Sequence, residues 1–316
     1  MTDTAPFFAD LASAPDGQAA EGGRAYWLRT SDGVRIRMAL WPKGTKGTVL
    51  LFPGRTEYIE KYGPAAAEFL ARGYAMVAVD WRGQGLADRP SPDPMMGHVT
   101  RFADYQSDVA AVMAKLADLG QPGPFFVVGH SMGGAIGLRA LMQGLPVQAA
   151  AFSAPMWGIH FSPGMEQAAR LLSKTARLLR QSARYAPGTG PLAYVLTTPF
   201  AGNVLTRDVT MYGWMQHHLM QHPELALGGP SLHWLGEALA ECRTLAAMPS
   251  PAIPCFCALG SVEKVVDSPA IHARMSRWPG GKLDLVPDSE HEGMMEILAT
   301  RHRFFDNACR LFDVNR

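Results

Sequence analysis

The amino-acid sequence predicts an α/β fold, with a mostly parallel central sheet flanked by helices on both faces. Short, valine-rich apolar runs recur along the chain, at residues 47–52, 73–80 and 124–129. Runs of this kind are typical of parallel strands that are buried on both faces. Helical periodicity occupies the segments between them, at 58–72 and 104–119. This alternation of strands and helices predicts a doubly wound sheet.

A β-hairpin is predicted ahead of these strands. Its two strands cover residues 25–30 and 34–41, and a Ser-Asp-Gly turn joins them. In the second strand apolar residues alternate with Arg35 and Arg37, which predicts one solvent-exposed face. Residues 1–22 precede the hairpin, and we expect them to form a loosely held N-terminal arm. The N-terminus lacks the basic and apolar segments of a signal peptide.

The second half of the chain predicts an insertion in this core. Further strands are indicated at 147–155, 253–260 and 282–287, and a closing helix at about 293–312. Residues 158–247 contain several helical stretches and no convincing buried strand, and their prolines and glycines mark helix ends. We therefore predict three parts: an N-terminal arm at 1–22, a core formed by 23–157 and 248–316, and a helical cap, or lid, inserted at 158–247.

Composition narrows the functional class. Hydrophobic residues make up 47% of the 316 residues and charged residues 18%, which predicts a large folded core. The net charge of +1 argues against a nucleic-acid-binding protein, which would carry a basic excess. No uninterrupted apolar run reaches the roughly 18 residues that a membrane span needs. We expect a cytoplasmic protein, with a peripheral position on the inner membrane as the alternative.

The four cysteines, Cys242, Cys255, Cys257 and Cys309, form no CxxC pair, and no histidines are spaced around them as zinc ligands would be. We interpret them as reduced thiols that pack like small apolar residues. No metal and no organic cofactor are expected.

The stretch Gly129-His-Ser131-Met-Gly133 predicts a nucleophile. A valine-rich strand ends there and a helical pattern begins, so Ser131 lies at the apex of a sharp turn. Glycines on both sides allow the strand and the helix to approach each other closely. The free N–H groups at the helix start then point to where an oxyanion can form.

Four motifs make this chain resemble the α/β-hydrolase superfamily over roughly residues 25–312, and within it the monoglyceride lipases and bacterial lysophospholipases. They are FPGRTEYIEKY (52–62), VAVDWRGQGLADRP (77–90), GHSMGG (129–134) and HPELALGGPSLHWL (222–235). The resemblance implies the α/β-hydrolase fold and a serine carboxylester hydrolase. It favours lysophospholipids or monoacylglycerols as substrates.

A serine nucleophile needs a base and an orienting acid, which follow it in that fold in the order serine, acid, histidine. The loop after strand 282–287 supplies His291 as the base. The resemblance implies an acid three residues after Gly260, which is Glu263 here, where the related enzymes carry Asp. Asp267 is the alternative acid.

Two backbone amides complete the predicted site as an oxyanion hole. One belongs to Met132, directly after the nucleophile. The resemblance implies that the other belongs to Arg55. The family usually carries His-Gly before this position, and this chain carries Pro53-Gly54.

The predicted cap contains a two-sided helical segment at 165–185. Its basic face carries Arg170, Lys174, Arg177, Arg180 and Arg184. Its apolar face carries Met165, Ala168, Leu171, Leu172, Leu178 and Leu179. One interpretation is an ordinary amphipathic helix with a solvated cationic face. The other is a lid whose basic face meets anionic lipid or a phosphate head group at a membrane surface.

Two alternatives to an ester hydrolase stay open at the level of sequence. The same three side chains could serve a peptidase, a thioesterase or a cofactor-free perhydrolase. A non-catalytic binding protein of this fold is the other alternative, although such proteins typically lose a triad member and here all three can be assigned.

Overall fold

The computed structural model describes residues 3–15, 17 and 19–316 of the chain. Its centre is one eight-stranded sheet. The strands are β1 Arg24–Arg29, β2 Arg35–Trp41, β3 Thr48–Phe52, β4 Ala75–Asp80, β5 Phe125–His130, β6 Ala150–Ser153, β7 Cys255–Gly260 and β8 Lys282–Val286. Each predicted strand is present and begins and ends within three residues of its predicted bounds.

The described α-helices are α1 Gly63–Ala71, α2 Tyr105–Asp118, α3 Met132–Met142, α4 Met165–Leu178, α5 Tyr194–Thr197, α6 Val209–Gln221, α7 Leu232–Ala247, α8 Ser268–Met275 and α9 Leu298–Asp313. Apolar residues of α2, α3 and α8 pack on one face of the sheet, and those of α1 and α9 pack on the other. The doubly wound α/β fold predicted from sequence is therefore confirmed. No helix in the described part of the chain is long and apolar enough to cross a membrane.

The strand order is β1-β2-β4-β3-β5-β6-β7-β8, and all neighbours from β4 to β8 pair in parallel. The chain winds outward in one direction from β3 and in the other from β5. In sheets of this type, ligands bind beside the carboxyl ends of the strands where the winding direction changes. The loops that follow β3, β5, β7 and β8 all lie at this edge.

The prediction that one face of β2 is exposed to solvent is wrong at Arg37. This side chain is fully buried, and its guanidinium forms ion pairs with Asp80 at 2.7 Å and Glu60 at 2.8 Å. A buried arginine is tolerated when its donors are satisfied in this way. A third acceptor is the carbonyl oxygen of Pro6, at 2.9 Å.

Pro6 belongs to the predicted N-terminal arm, and the expectation of a loosely held arm is also wrong for its described residues. The backbone N–H of Ala5 donates to the carbonyl oxygen of Ala25 at 2.9 Å, and the Trp214 indole donates to the carbonyl oxygen of Ser13 at 2.9 Å. Leu11 is buried. Residues 1, 2, 16 and 18 of the arm lie outside the described residues.

The segment between β6 and β7 contains α4 to α7 and contributes no strand to the sheet within the described residues. The four cysteines are free and buried, as expected for thiols that pack like apolar residues.

Candidate active site

Ser131 lies at the apex of the turn between β5 and α3. Its φ of 48° and ψ of −120° place it in a region that residues other than glycine rarely adopt. The helix that follows starts at Met132, and the serine itself is buried. Such strain persists only where the surrounding structure enforces it, and it is typical of functional positions.

The glycines beside Ser131 are required by close backbone contacts. A Cβ at Gly129 would lie 2.9 Å from the Cα of Gly134, at the start of α3. A Cβ at Gly133 would collide with the carbonyl oxygen of Phe52, at the end of β3. The turn can therefore be this sharp only because both positions lack a side chain.

His291 and Glu263 meet beside this turn. His291 lies on the loop after β8, and Glu263 lies on the loop after β7. The imidazole Nδ1 is 2.8 Å from Glu263 Oε2, and the side chains are 4% and 1% exposed. The other oxygen, Oε1, accepts hydrogen bonds from the backbone N–H groups of Val265 at 2.6 Å and Val266 at 3.1 Å. The carboxylate is thus fixed in position before any substrate binds.

Burial opposes the charged form of both groups, but their mutual attraction is stronger. The pKa of Glu263 is lowered, because the charge of His291 and the hydrogen bonds outweigh desolvation. The pKa of His291 is raised, because the attraction of Glu263 outweighs desolvation of the imidazolium. This arrangement stabilises a proton on His291, as a base that accepts one during a reaction requires.

Asp267, the alternative acid, lies elsewhere. It is the residue before α8, where its backbone carbonyl accepts from the N–H groups of Ala270 and Ile271. Its side chain packs against Gly158. No hydrogen bond joins Asp267 to His291 in the described part of the chain.

The loop after β3 contacts the turn at Ser131. A Cβ at Gly54 would lie 3.0 Å from the Cβ of Ser131. The amides of Arg55 and Met132 donate no hydrogen bond within the described residues. The loop itself is held firmly, since Gln84 donates to the carbonyl oxygens of Gly54 at 2.8 Å and Glu57 at 3.0 Å.

A buried cluster of charged side chains holds this loop in place. Glu57 accepts from the Gly54 amide, from Tyr62 Oη at 2.5 Å and from Lys61 Nζ at 2.7 Å. Lys61 also donates to Glu292 at 2.7 Å. Although burial opposes the charged ammonium, the attraction of Glu292 and Glu57 raises the pKa of Lys61.

Sequence reasoning did not find this cluster. Its one available signal is position: Glu57 and Lys61 lie in the motif at 52–62, and Glu292 directly follows His291.

The same cluster includes a group of side chains that could in principle hold a metal ion. Glu57, His130 and Glu292 have ligand atoms close to one another. Lys61 Nζ already forms ion pairs with both carboxylates. The ammonium group therefore takes the place that a cation would need. Burial lowers the pKa of His130, which favours the neutral imidazole beside them.

A cavity of about 440 Å³ opens onto Ser131 and His291. Its wall is mostly apolar and comes largely from the segment between β6 and β7 and the loops at the carboxyl edge of the sheet. The apolar lining residues are Tyr58, Met156, Ile159, Ala193, Tyr194, Val195, Val204, Leu205, Met215, Leu219, Trp234, Leu235, Val265 and Val266. A volume of this size suits a small-molecule site.

Helix α4 lies on the outside of this region and exposes both of its faces. Its buried residues are Ser173 and Ala176, which pack toward α7. Leu171 is 66% exposed and Leu178 is 77% exposed. The cationic side chains Lys174, Arg177, Arg180 and Arg184 are exposed too, so a solvated cationic face and a lid that meets a membrane surface both stay open as interpretations of this segment.

The chain was compared with known proteins. Residues 43–297 match the family described as serine aminopeptidase, S33. Lysophospholipase L2 of Escherichia coli strain K12 is 34% identical over 266 residues, covering 80% of this chain and 76% of the relative. A probable lysophospholipase L2 of Haemophilus influenzae is 28% identical over 250 residues, covering 78% of each.

Among solved structures, a soluble variant of monoglyceride lipase from Saccharomyces cerevisiae matches with a TM-score of 0.70 at 19% identity. The match covers 92% of this chain and 95% of that one. This likeness confirms the α/β-hydrolase fold that the sequence motifs predicted.

Proposed function

The chain belongs to the serine aminopeptidase S33 family, and on that premise we propose that it is a serine carboxylester hydrolase acting on lysophospholipids or monoacylglycerol-like esters. One observation carries the proposal. The strained Ser131 and His291, which is paired with the buried Glu263, line the same mostly apolar cavity. The names of the two lysophospholipase relatives support the substrate class.

In the proposed mechanism, Ser131 Oγ attacks the ester carbonyl while His291 Nε2 accepts the hydroxyl proton. Glu263 accepts the Nδ1–H hydrogen bond, which fixes the tautomer and stabilises the imidazolium. The tetrahedral intermediate collapses, and His291 protonates the leaving alcohol. Water then attacks the acyl-enzyme with the same base, releasing the fatty acid and restoring Ser131.

The oxyanion of the intermediate is stabilised by the amides of Arg55 and Met132 in this proposal. Both are free of acceptors within the described residues, and Gly54 brings the loop of Arg55 into contact with Ser131. Donors that are already positioned need no reorganisation when charge develops on the oxygen. Glu57 acts as a positioning residue, since it holds the Gly54 amide.

The shape and polarity of the cavity support a single-chain lipid ester. Apolar side chains such as Met215 and Leu219 form most of its wall, and the polar residues that line it include Arg55, Glu57 and His130. An acyl chain can therefore occupy the apolar part while the ester carbonyl lies at the serine. The polar head group would then extend toward the mouth of the cavity.

A peptidase is the second candidate, because the family description names an aminopeptidase. An aminopeptidase needs an unpaired carboxylate to bind the ammonium group of its substrate. The carboxylates that line the cavity are Glu57 and Glu292, and Lys61 Nζ lies 2.7 Å from each. This pairing favours the ester hydrolase over the aminopeptidase.

Contact with a membrane surface is part of the same proposal. The exposed leucines of α4 form an apolar face with Met165, which is 53% exposed. Basic residues such as Lys174 and Arg177 lie beside this face on the same helix. A helix with this distribution binds at the interface of a bilayer, with the leucines among the acyl chains and the cations near the phosphates.

The test is a substrate panel run on wild-type protein and on Ser131→Ala. We expect turnover of lysophosphatidylcholine, monooleoylglycerol and short p-nitrophenyl esters, and none of aminoacyl anilides. Ser131→Ala should retain the fold and lose ester hydrolysis, leaving only weak residual catalysis. Preferential cleavage of the anilides would move the assignment to a peptidase.

A further inference from the structure

A second concave site lies between α4 and α7, on the side of α7 that faces away from the catalytic cavity. This groove has a volume of about 290 Å³. Its lining residues include Arg170, Lys174 and Arg177 from α4, with Glu237 and Arg243 from α7. We propose that this groove binds the phosphate of an anionic phospholipid head group. The proposal does not depend on the ester chemistry at Ser131.

Charge in the groove favours an anion. Four cationic side chains line it, against the single carboxylate of Glu237. That carboxylate is already engaged, since it accepts from the backbone N–H of Phe102 at 3.1 Å and lies 3.9 Å from Arg177. Glu166 pairs with one terminal nitrogen of Arg170, Nη2. Lys174 and Arg243 are exposed and have no ion-pair partner among the described residues.

Two buried polar atoms in this groove have no hydrogen-bond partner within the described residues. They are Ser173 Oγ and Arg170 Nε. Leaving such atoms unpaired costs about 1–3 kcal/mol each, so native proteins rarely do it without a reason. Arg170 Nε–H can only donate, and the Ser173 hydroxyl can donate as well. Both atoms are closed to solvent in this structure, so a ligand reaches them only after the Arg170 and Ser173 side chains rotate, and it must then present acceptor oxygens.

A phosphate group meets these requirements together. It offers several acceptor oxygens and a negative charge, and arginine pairs with it more strongly than with neutral acceptors. Ser173 lies beside the point at which α4 and α7 approach closely, at Gly236. A Cβ at that glycine would lie 3.1 Å from the Cβ of Ser173.

The neighbouring surface identifies the source of the phosphate as a lipid. The exposed leucine face of α4, which includes Leu171 and Leu178, borders the flank that carries Arg170 and Arg177. When the leucines enter the acyl layer, this flank comes to the depth of the lipid phosphates. A free phosphate ion would make no contact with the apolar face beside the groove.

The experiment measures binding to vesicles that the enzyme cannot hydrolyse. The probe is a vesicle of ether-linked phosphatidylglycerol and phosphatidylcholine, with co-sedimentation as the readout. A groove variant, Arg170→Gln with Arg177→Gln, is compared with a matched control, Arg180→Gln with Arg184→Gln. The control removes the same charge from exposed positions of the same segment that do not line the groove.

Both double variants lose the same general attraction to an anionic surface. We expect the groove variant to bind at least about tenfold more weakly than the control, the effect of one lost hydrogen bond to a charged group. Equal losses of vesicle binding in the two variants would overturn the proposal, since long-range attraction between the positive charges and the anionic surface would then explain both. Circular dichroism and turnover of a short soluble ester, expected to match wild type, show that the groove variant is folded.

The variant Ser173→Ala is an independent test of the groove that leaves the net charge unchanged. Because Ser173 Oγ has no hydrogen-bond partner within the described residues, its removal breaks no hydrogen bond between α4 and α7. We expect vesicle binding to weaken about threefold to tenfold. Unchanged binding would overturn the groove as the contact site.

Inorganic phosphate distinguishes the two sources of the ligand. We expect no displacement of the protein from vesicles by millimolar phosphate at constant ionic strength. The contrary result is that phosphate displaces the wild-type protein where sulfate at the same ionic strength does not, and that it fails to displace the groove variant. That result would show a site for free phosphate and overturn the assignment to a lipid.

Discussion

Replacing Glu263 by glutamine is the perturbation that most sharply separates a catalytic acid from a structural carboxylate. Glu263 Oε2 lies 2.8 Å from His291 Nδ1, while Oε1 accepts two backbone N–H groups. A glutamine keeps the size but offers only one acceptor oxygen. If its NH₂ group faces His291, it donates to Nδ1, and the imidazole must carry its proton on Nε2. That tautomer cannot accept a proton from Ser131.

The other orientation of the glutamine is no better. Its oxygen could still face His291, but its NH₂ group would then point at the N–H groups of Val265 and Val266 and lose both hydrogen bonds. The side chain is 1% exposed, so water cannot restore them. We therefore expect kcat to fall about 10⁴-fold, as in serine proteases that lose this charge. That corresponds to about 5.5 kcal/mol at roughly 1.36 kcal/mol per tenfold.

The assay is kcat on a soluble p-nitrophenyl ester, with thermal unfolding measured in parallel. Asp267→Asn is the matched control, and we expect its kcat to stay within about threefold of wild type. Glu263→Asp keeps the charge and should recover part of the loss. The reverse ranking, with Asp267→Asn inactive and Glu263→Gln active, would refute the assignment of the acid.

Three further outcomes are expected. Glu57→Gln should lower kcat about 100-fold with a smaller change in KM, because a loosened oxyanion loop stabilises the intermediate less well; an unchanged kcat in a folded variant would contradict this. Activity on the soluble ester should rise with pH through a midpoint above the ordinary histidine value of 6.5, because Glu263 raises the pKa of His291 and the reaction needs the neutral base. A midpoint below that value would show the opposite shift. Replacing Leu171 and Leu178 by serine should reduce hydrolysis of a lysophospholipid presented in anionic vesicles while sparing the soluble ester, and equal losses on both would indicate a damaged fold instead.

The parts of the structure that follow local rules could be predicted from the sequence. The buried strands are short and apolar throughout, so their bounds were placed within three residues. The turn at Ser131 has a local signature of glycines between a strand and a helix. The pairing of Glu263 with His291 was implied by the resemblance to the α/β hydrolases, and the structure places the two residues on the loops after β7 and β8, which are neighbouring parallel strands.

The parts that depend on distant partners could not be predicted in this way. Arg37 alternates with apolar residues like an exposed side chain, but its partners Asp80 and Glu60 lie 43 and 23 residues away in sequence. The alternation pattern contains no information about them. Similarly, Lys61 and Glu292 are 231 residues apart.

The exposure of the leucines of α4 could not be predicted from the sequence for a different reason. Periodicity separates the faces of a helix but does not say which face meets the protein. Here Ser173 and Ala176 form the contact, and the leucines remain exposed.

Covalent labelling of Ser131 tests the central claim most directly. The protein is treated with a fluorophosphonate, digested, and analysed by mass spectrometry, with Ser131→Ala alongside. We predict one modified peptide, carrying the label on Ser131, a loss of lysophosphatidylcholine hydrolysis in proportion to labelling, and no labelling of the variant. Full hydrolysis by a protein labelled at Ser131, or by Ser131→Ala, would contradict the proposed mechanism.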